Sequence, residues 1–182
     1  TVLDEKAVIG TGKGFSREGA PSVLYDPDLP ILHVPRGRAP TRRNQRLRRA
    51  RILATIRKLL RQDGFEAVTV RRIAGESGHA VQTIYNLVGP RDAAIVEAIS
   101  EYTRYVGRTA APSHDDPQAI SEIIERWLQS VEAAPDFCRM VSLIYFSRSR
   151  HIFYDFRDKE LKGMFNLLKT QQKSGVLRAD VN

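Results

Sequence analysis

Residues 64–91, GFEAVTVRRIAGESGHAVQTIYNLVGPR, hold two very short helical patterns separated by a glycine turn. Thr69 is placed to accept from a free first-turn amide, so it opens one helix through Val70, Ile73 and Ala74 to Glu76, and Ser77-Gly78 ends it. A second helix runs roughly from Ala80 to Leu87. It sets Ile84 and Val88 on one side and leaves Val81, Gln82, Thr83, Tyr85 and Asn86 facing elsewhere. Helices of about two turns cannot stand alone, since isolated helices below ~12 residues are marginal in water. A third helix must back them, and the sequence supplies one on each side. Two short helices around a tight turn, beside a basic surface, are suited to placing one of them in a DNA groove.

Working outward, the helical period begins at Thr41. Leu47, Ile52, Ile56, Leu59 and Leu60 recur at three- and four-residue steps until Asp63-Gly64, and Phe65 follows as a core plug. Beyond Gly89-Pro90, Arg91 starts a longer helix carrying Ala94, Ile95, Ala98, Ile99, Tyr102 and Val106. After a loop at Ala111–Asp116 comes a helix expected to turn Ile120, Ile123, Ile124, Trp127, Leu128 and Val131 inward. Pro135 suits the first position of the next, with Phe137, Met140, Val141, Ile144 and Tyr145. The last spans about Tyr154 to Ser174, with Leu161, Met164, Phe165 and Leu168 inward and Gly175 as its cap. There is neither strand alternation nor an internal repeat, so the fold class is all-α. Residues 1–40, dense in glycine and proline, read as an irregular basic extension; 41–90 form the helix-turn-helix domain and 91–182 a helical C-terminal domain.

The charge agrees. The 182-residue chain carries a net +8, and its excess is local: Arg36, Arg38, Arg42, Arg43, Arg46, Arg48, Arg49, Arg51, Arg57, Lys58 and Arg61 fall in a stretch without Asp or Glu. Such a run beside a helix pair points to a polyanion, with Arg36, Arg38, Arg42 and Arg43 as a phosphate-tracking or minor-groove arm. The single cysteine, Cys138, excludes a disulfide framework and reads as a small buried hydrophobe. No apolar run reaches the ~18 residues of a membrane span and no secretory signal pattern opens the chain, so a cytoplasmic protein without a membrane partner is expected. Starting at Thr1, the chain is expected to be a processed or partial copy.

Enzymatic classes have little support. Gly10-Thr11-Gly12-Lys13-Gly14 lacks the first glycine and the Ser or Thr of a phosphate loop. His33, His79, His114 and His151 are too scattered for zinc, and no cofactor is implied. Asp115-Asp116 suits a helix start, and Asp155 with Asp158 a solvated face, better than a catalytic pair.

The run RILATIRKLLRQDGFEAVTVRRIAGESGHAVQTIYNLVGPRDAAI resembles the DNA-binding domain of the TetR family of bacterial transcriptional regulators over roughly residues 48–100. The resemblance rests on Gly64-Phe65, Thr69 with Arg71, Ile73-Ala74, Gly78, Thr83-Ile84-Tyr85 and Arg91. It implies that Arg71 reaches a base edge or phosphate, that Gln82 and Thr83 face bases, and that Tyr85 and Arg91 hold phosphates. Val81 can meet a thymine methyl; Asn86, Arg42 and Arg43 complete the expected DNA surface. Ala80 departs from the family's capping Ser or Thr. His79, Leu87 and Val88 also depart.

The resemblance further implies a homodimeric, ligand-responsive regulator, most simply a repressor, on a near-palindromic double-stranded DNA operator. Residues 91–182 then form an effector-binding and dimerisation domain, with Tyr102, Trp127, Phe137, Met140, Tyr145 and Phe165 lining a site for a lipophilic small molecule. Family members continue beyond residues 175–180 into two interface helices, so the C-terminal domain is expected to be incomplete. The competing readings are a non-sequence-specific nucleic-acid-binding helical protein and a plain helical dimerisation module.

Overall fold

The long α1 (Pro40–Asp63) is the spine against which the rest is arranged. It is followed by α2 (Val70–Ser77), α3 (Val81–Val88), α4 (Arg91–Ala110), α5 (Ala119–Ala133), α6 (Pro135–Tyr145), a 3-10 helix (Arg148–Phe153) and α7 (Tyr154–Lys173). This computed structural model describes residues 8–9, 26–32, 40–110, 116, 118–178 and 180. The fold is all-α. The Gly10–Gly14 patch, Arg36, Arg38, His33, His114 and the side chain of Arg42 lie outside the described residues.

The inner face of α1 gives Ile52, Leu53, Ile56, Leu59 and Leu60 to a core shared with Ile73 and Ala74 of α2, Ile84 and Val88 of α3, and Ala94, Ile95, Ala98 and Ile99 of α4. Burying a Leu- or Ile-sized side chain contributes about 1.5–3 kcal/mol. Four helices sharing one core therefore hold the two short ones, which could not persist alone. Further along α4, Tyr102 meets Phe137 of α6 edge to face, ring centroids 5.0 Å apart. Asp116 lies in the turn before α5, whose N-cap is Gln118: its side chain accepts from the Gln118 amide at 2.8 Å and its carbonyl from the Ala119 amide, while the acidic residue of the first turn is Glu122. Pro135 opens α6.

Three expectations are corrected. The extension is not irregular throughout: β1 (Val8–Ile9) and β2 (Ile31–Leu32) form a parallel pair, and residues 26–32 dock on α1 with Ile31 buried. Two-residue strands carry too little alternation to be seen in a sequence. Second, the basic run is not uniformly free. Arg57 is fully buried and paired with Glu101 at 2.9 Å, Arg49 is 2.8 Å from Glu97, and Arg61 pairs with Asp28. Third, the C-terminal helices do not turn all their apolar residues inward. Ile124, Trp127 and Leu128 on α5, Tyr145 on α6, and Leu161, Met164 and Phe165 on α7 are exposed, Trp127 at 57% and Phe165 at 59%. A helical period shows that a face is apolar; it cannot show what covers that face.

Candidate nucleic-acid interface

Capping and turn chemistry position the two short helices. Thr69 Oγ1 accepts from the Arg72 amide at 3.2 Å, closing the start of α2. Gly78 ends it at φ 68°, where a side chain would be strained, and its amide reaches back to Ala74 and Gly75 carbonyls. His79 follows with its amide on the Ala74 carbonyl at 3.0 Å. The chain thus reverses within three residues and launches α3.

On α3, Ile84 and Val88 face the core, while Val81, Gln82, Tyr85 and Asn86 are exposed and Thr83 is half-buried. The outward rim expected from the sequence is therefore presented on one helix. Gln82 Nε2 donates to Asn86 Oδ1 at 3.0 Å, so the two amides form one polar platform across a helical turn. Ala80 provides no side-chain cap. The Thr83 amide is already bonded to the Ala80 carbonyl at 2.9 Å, so the Val81 and Gln82 amides are the ones left for an outside acceptor, and the positive end of the helix favours an anion there.

Nearby cations divide into two sets. Arg71 of α2 is exposed, and Arg43, Arg48, Arg51 and Lys58 are exposed on α1. The other set is spent internally. Arg72 pairs with Asp63 at 2.7 Å. Arg91, expected at a phosphate, donates from Nε to the Val68 carbonyl and from Nη2 to the Phe65 carbonyl, each at 2.6 Å, while its guanidinium lies 4.2 Å from the Phe65 ring centroid. It also pairs with Asp92 at 2.7 Å. Its work here is to pin the α1–α2 connection to the start of α4, which holds the helix pair in place.

The six aromatic and Met residues expected around an effector are not gathered together. Tyr102 and Phe137 are core partners and Met140 packs partly against the same core, whereas Trp127, Tyr145 and Phe165 are exposed on three different helices. Cys138 is half-buried, and burial pushes its thiol up from the ordinary value, away from the reactive thiolate. Among the described residues no cluster of His, Cys, Asp or Glu could hold a metal ion, and no helix is long and apolar enough to cross a membrane.

Residues 52–86, from the middle of α1 to the end of the α3 rim, match the family model of bacterial regulatory proteins, tetR family. This segment is a tetR-family DNA-binding helix-turn-helix. No curated protein and no solved structure matches the chain. The tetR match and the geometry coincide on the same residues: the matched segment contains α2, the Gly78 turn and α3 as far as Asn86, with its exposed face. The chain therefore carries the DNA-binding unit of a transcriptional regulator.

Sequence reasoning missed Arg57, Glu101 and the docked segment 26–32. A signal for Arg57 was present. It stands four residues after Leu53 and three before Leu60, on the apolar face of α1, where a charge needs buried partners.

Proposed function

We propose that the chain is a ligand-responsive transcriptional repressor that binds a near-palindromic operator as a homodimer. One observation carries this reading: α3 buries Ile84 and Val88 and turns Val81, Gln82, Tyr85 and Asn86 outward, beside exposed Arg71. A helix so presented fits a major groove about 12 Å wide, where Gln82 and Asn86 suit adenine edges and Val81 a thymine methyl. Thr83 faces bases at the rim. Tyr85, Arg71 and the Val81 and Gln82 amides at the start of α3 serve phosphate oxygens. Arg42 and Arg43, at the start of α1, extend the contact along the backbone, and Arg91 contributes by fixing the unit rather than as a first contact.

The paired α3 helices of a dimer would sit about 34 Å apart, one turn of duplex. A lipophilic effector entering among α4, α5, α6 and α7 would have to draw the exposed Trp127, Tyr145 and Phe165 toward the core residues Tyr102, Phe137 and Met140, and so shift α4, which links both parts, and spoil that spacing. Only a ligand with different affinity for the two arrangements can do so. The lone half-buried Cys138 is compatible with a cytoplasmic site of action.

The test is to sequence the duplexes that the chain retains from a random pool. Recovery of inverted half-sites is expected. Retention without any shared half-site would refute sequence reading. It would favour the second reading, a non-sequence-specific nucleic-acid binder, which the exposed Arg48, Arg51 and Lys58 of α1 and the uncapped α3 also suit.

A further inference from the structure

The start of α4 meets the helix-turn-helix and its remainder leads into the C-terminal helices, so its angle to α1 governs how α3 is presented. That crossing is closed by a segment distant in sequence. Arg57, at the middle of the buried face of α1, donates from Nη1 to the Ala98 carbonyl at 3.1 Å and to Glu101 Oε2 at 2.9 Å, both on α4. Its other donors leave the helices altogether. Nε reaches the Pro27 carbonyl at 2.6 Å and Nη2 the Leu29 carbonyl at 3.0 Å. One turn further along α1, Arg61 pairs with Asp28, and Ile31 enters the core cluster itself.

A buried guanidinium is tolerated only with its donors satisfied. If residues 26–32 lift away, Nε and Nη2 lose their acceptors in a site the strap had kept dry. Arg57 must then admit water or swing out, and swinging out releases Ala98 and Glu101. Docking of the segment and locking of α4 onto α1 are therefore a single cooperative event.

We infer that residues 26–32 are a strap that, through the positioning residues Arg57 and Glu101, fixes α4 against α1 and keeps the helix-turn-helix in its binding pose. The inference rests on the DNA-binding reading for its consequence, though the lock itself does not. It also separates two roles within residues 1–40: a strap that never touches DNA, and a following basic stretch that is the candidate for phosphates.

The full chain with Ile31→Asp, which expels the strap, and with Arg57→Lys, which keeps the charge but lacks the planar fork, is compared with the unmodified chain. Hydrogen exchange is measured on the free protein, and duplex affinity is measured across salt concentrations. With Ile31→Asp, faster exchange is expected at residues 26–32 and also at 98–105 of α4. Affinity should fall about tenfold, as the competent fraction falls to about a tenth, with the log–log salt slope unchanged. Arg57→Lys should move the same readouts in the same direction. Faster exchange confined to 26–32 with unchanged affinity overturns the inference. So does an affinity loss accompanied by a fall of ~0.9 or more in the slope, which would mean that the strap itself had held a phosphate. Should Ile31→Asp unfold the protein, Ile31→Ala carries the same comparison. If the unmodified chain binds no duplex, the function proposed above fails, while the spread of exchange into α4, or its confinement to 26–32, still decides the lock.

Discussion

The DNA-reading end and the C-terminal helices handle apolar surface in opposite ways. In α1, α2 and α3 the large apolar residues of the inner faces, Ile52, Leu53, Ile56, Leu60, Ile73 and Ile84, are fully enclosed by one another and by α4. In α5 and α7 the apolar stripes are as regular in sequence, yet Trp127, Leu128, Leu161 and Phe165 stand half open to solvent, and Phe146 just after α6 is 83% exposed. The difference teaches that amphipathic period and burial are separate facts. The two short helices complete a core within their own unit, as a rigid reading head requires. Exposed apolar residues on α5 to α7 leave those faces without a cover of their own, and this supports placing the proposed effector and second subunit there.

The largest expected effect tests this contrast directly. Ile84→Ala removes a fully buried side chain from the head and should lower unfolding free energy by about 2–5 kcal/mol. Phe165→Ala should change it by no more than about 0.5 kcal/mol, as surface substitutions do. Denaturant unfolding of both variants at two protein concentrations reads the difference. A core-sized loss at Phe165 would show that α7 is covered in solution and would abolish the asymmetry.

The same asymmetry explains what was legible beforehand. Helix ends were readable where a residue type has one physical use: Thr69 as acceptor, Gly78 as the left-handed stop, Pro135 as an opener. The outward rim of α3 was readable because Ile84 and Val88 leave only one face for the core. Partnerships between distant segments were not. Arg57 looked like one more member of a basic run, because nothing in the local sequence says that Pro27 and Leu29 carbonyls will reach it. Arg91 carried the right charge for phosphate, but its guanidinium is turned toward Phe65 and Val68. In both cases the residue type was informative about chemistry and silent about the partner.

Within the head, two single-residue changes sharpen the comparison. Gly78→Ala meets no steric neighbour within 4 Å, so its cost is conformational: about 1–2 kcal/mol for a side chain at φ 68°. Gly75→Ala, in helix α2 with equally open space, should instead stabilise by about 0.5–1 kcal/mol. Thermal unfolding of the pair distinguishes turn geometry from generic loss of glycine; equal shifts would remove Gly78 from its role. Ala80→Ser should add the missing cap and stabilise by about 1 kcal/mol. Because the hydroxyl then competes for the amides at the start of α3, duplex affinity should not rise with stability. A parallel rise would mean that those amides have no part in binding.

The smallest effect concerns the strap that joins the two ends. Burial is the leading influence on the Asp28 carboxyl and raises it above the ordinary 3.8, with the Arg61 guanidinium pulling partly the other way. Glu101 is likewise raised above 4.5 by burial, against the pull of Arg57. A group that holds its proton more tightly when folded adds stability below its unfolded value, and that addition is lost as pH rises through the folded value. Unfolding free energy should therefore decline as pH climbs through the window just above 3.8 and then above 4.5. Asp28→Asn should remove the first part of that decline and leave the part due to Glu101. The change should be modest, since Asp28 keeps some contact with water and its ion pair is screened accordingly. A pH series of denaturant unfolding curves reads both parts. If substitution leaves the lower part of the slope untouched, the Asp28 carboxyl is not buried against α1 in solution, and the strap would have to be anchored by Ile31 and the Arg57 hydrogen bonds alone.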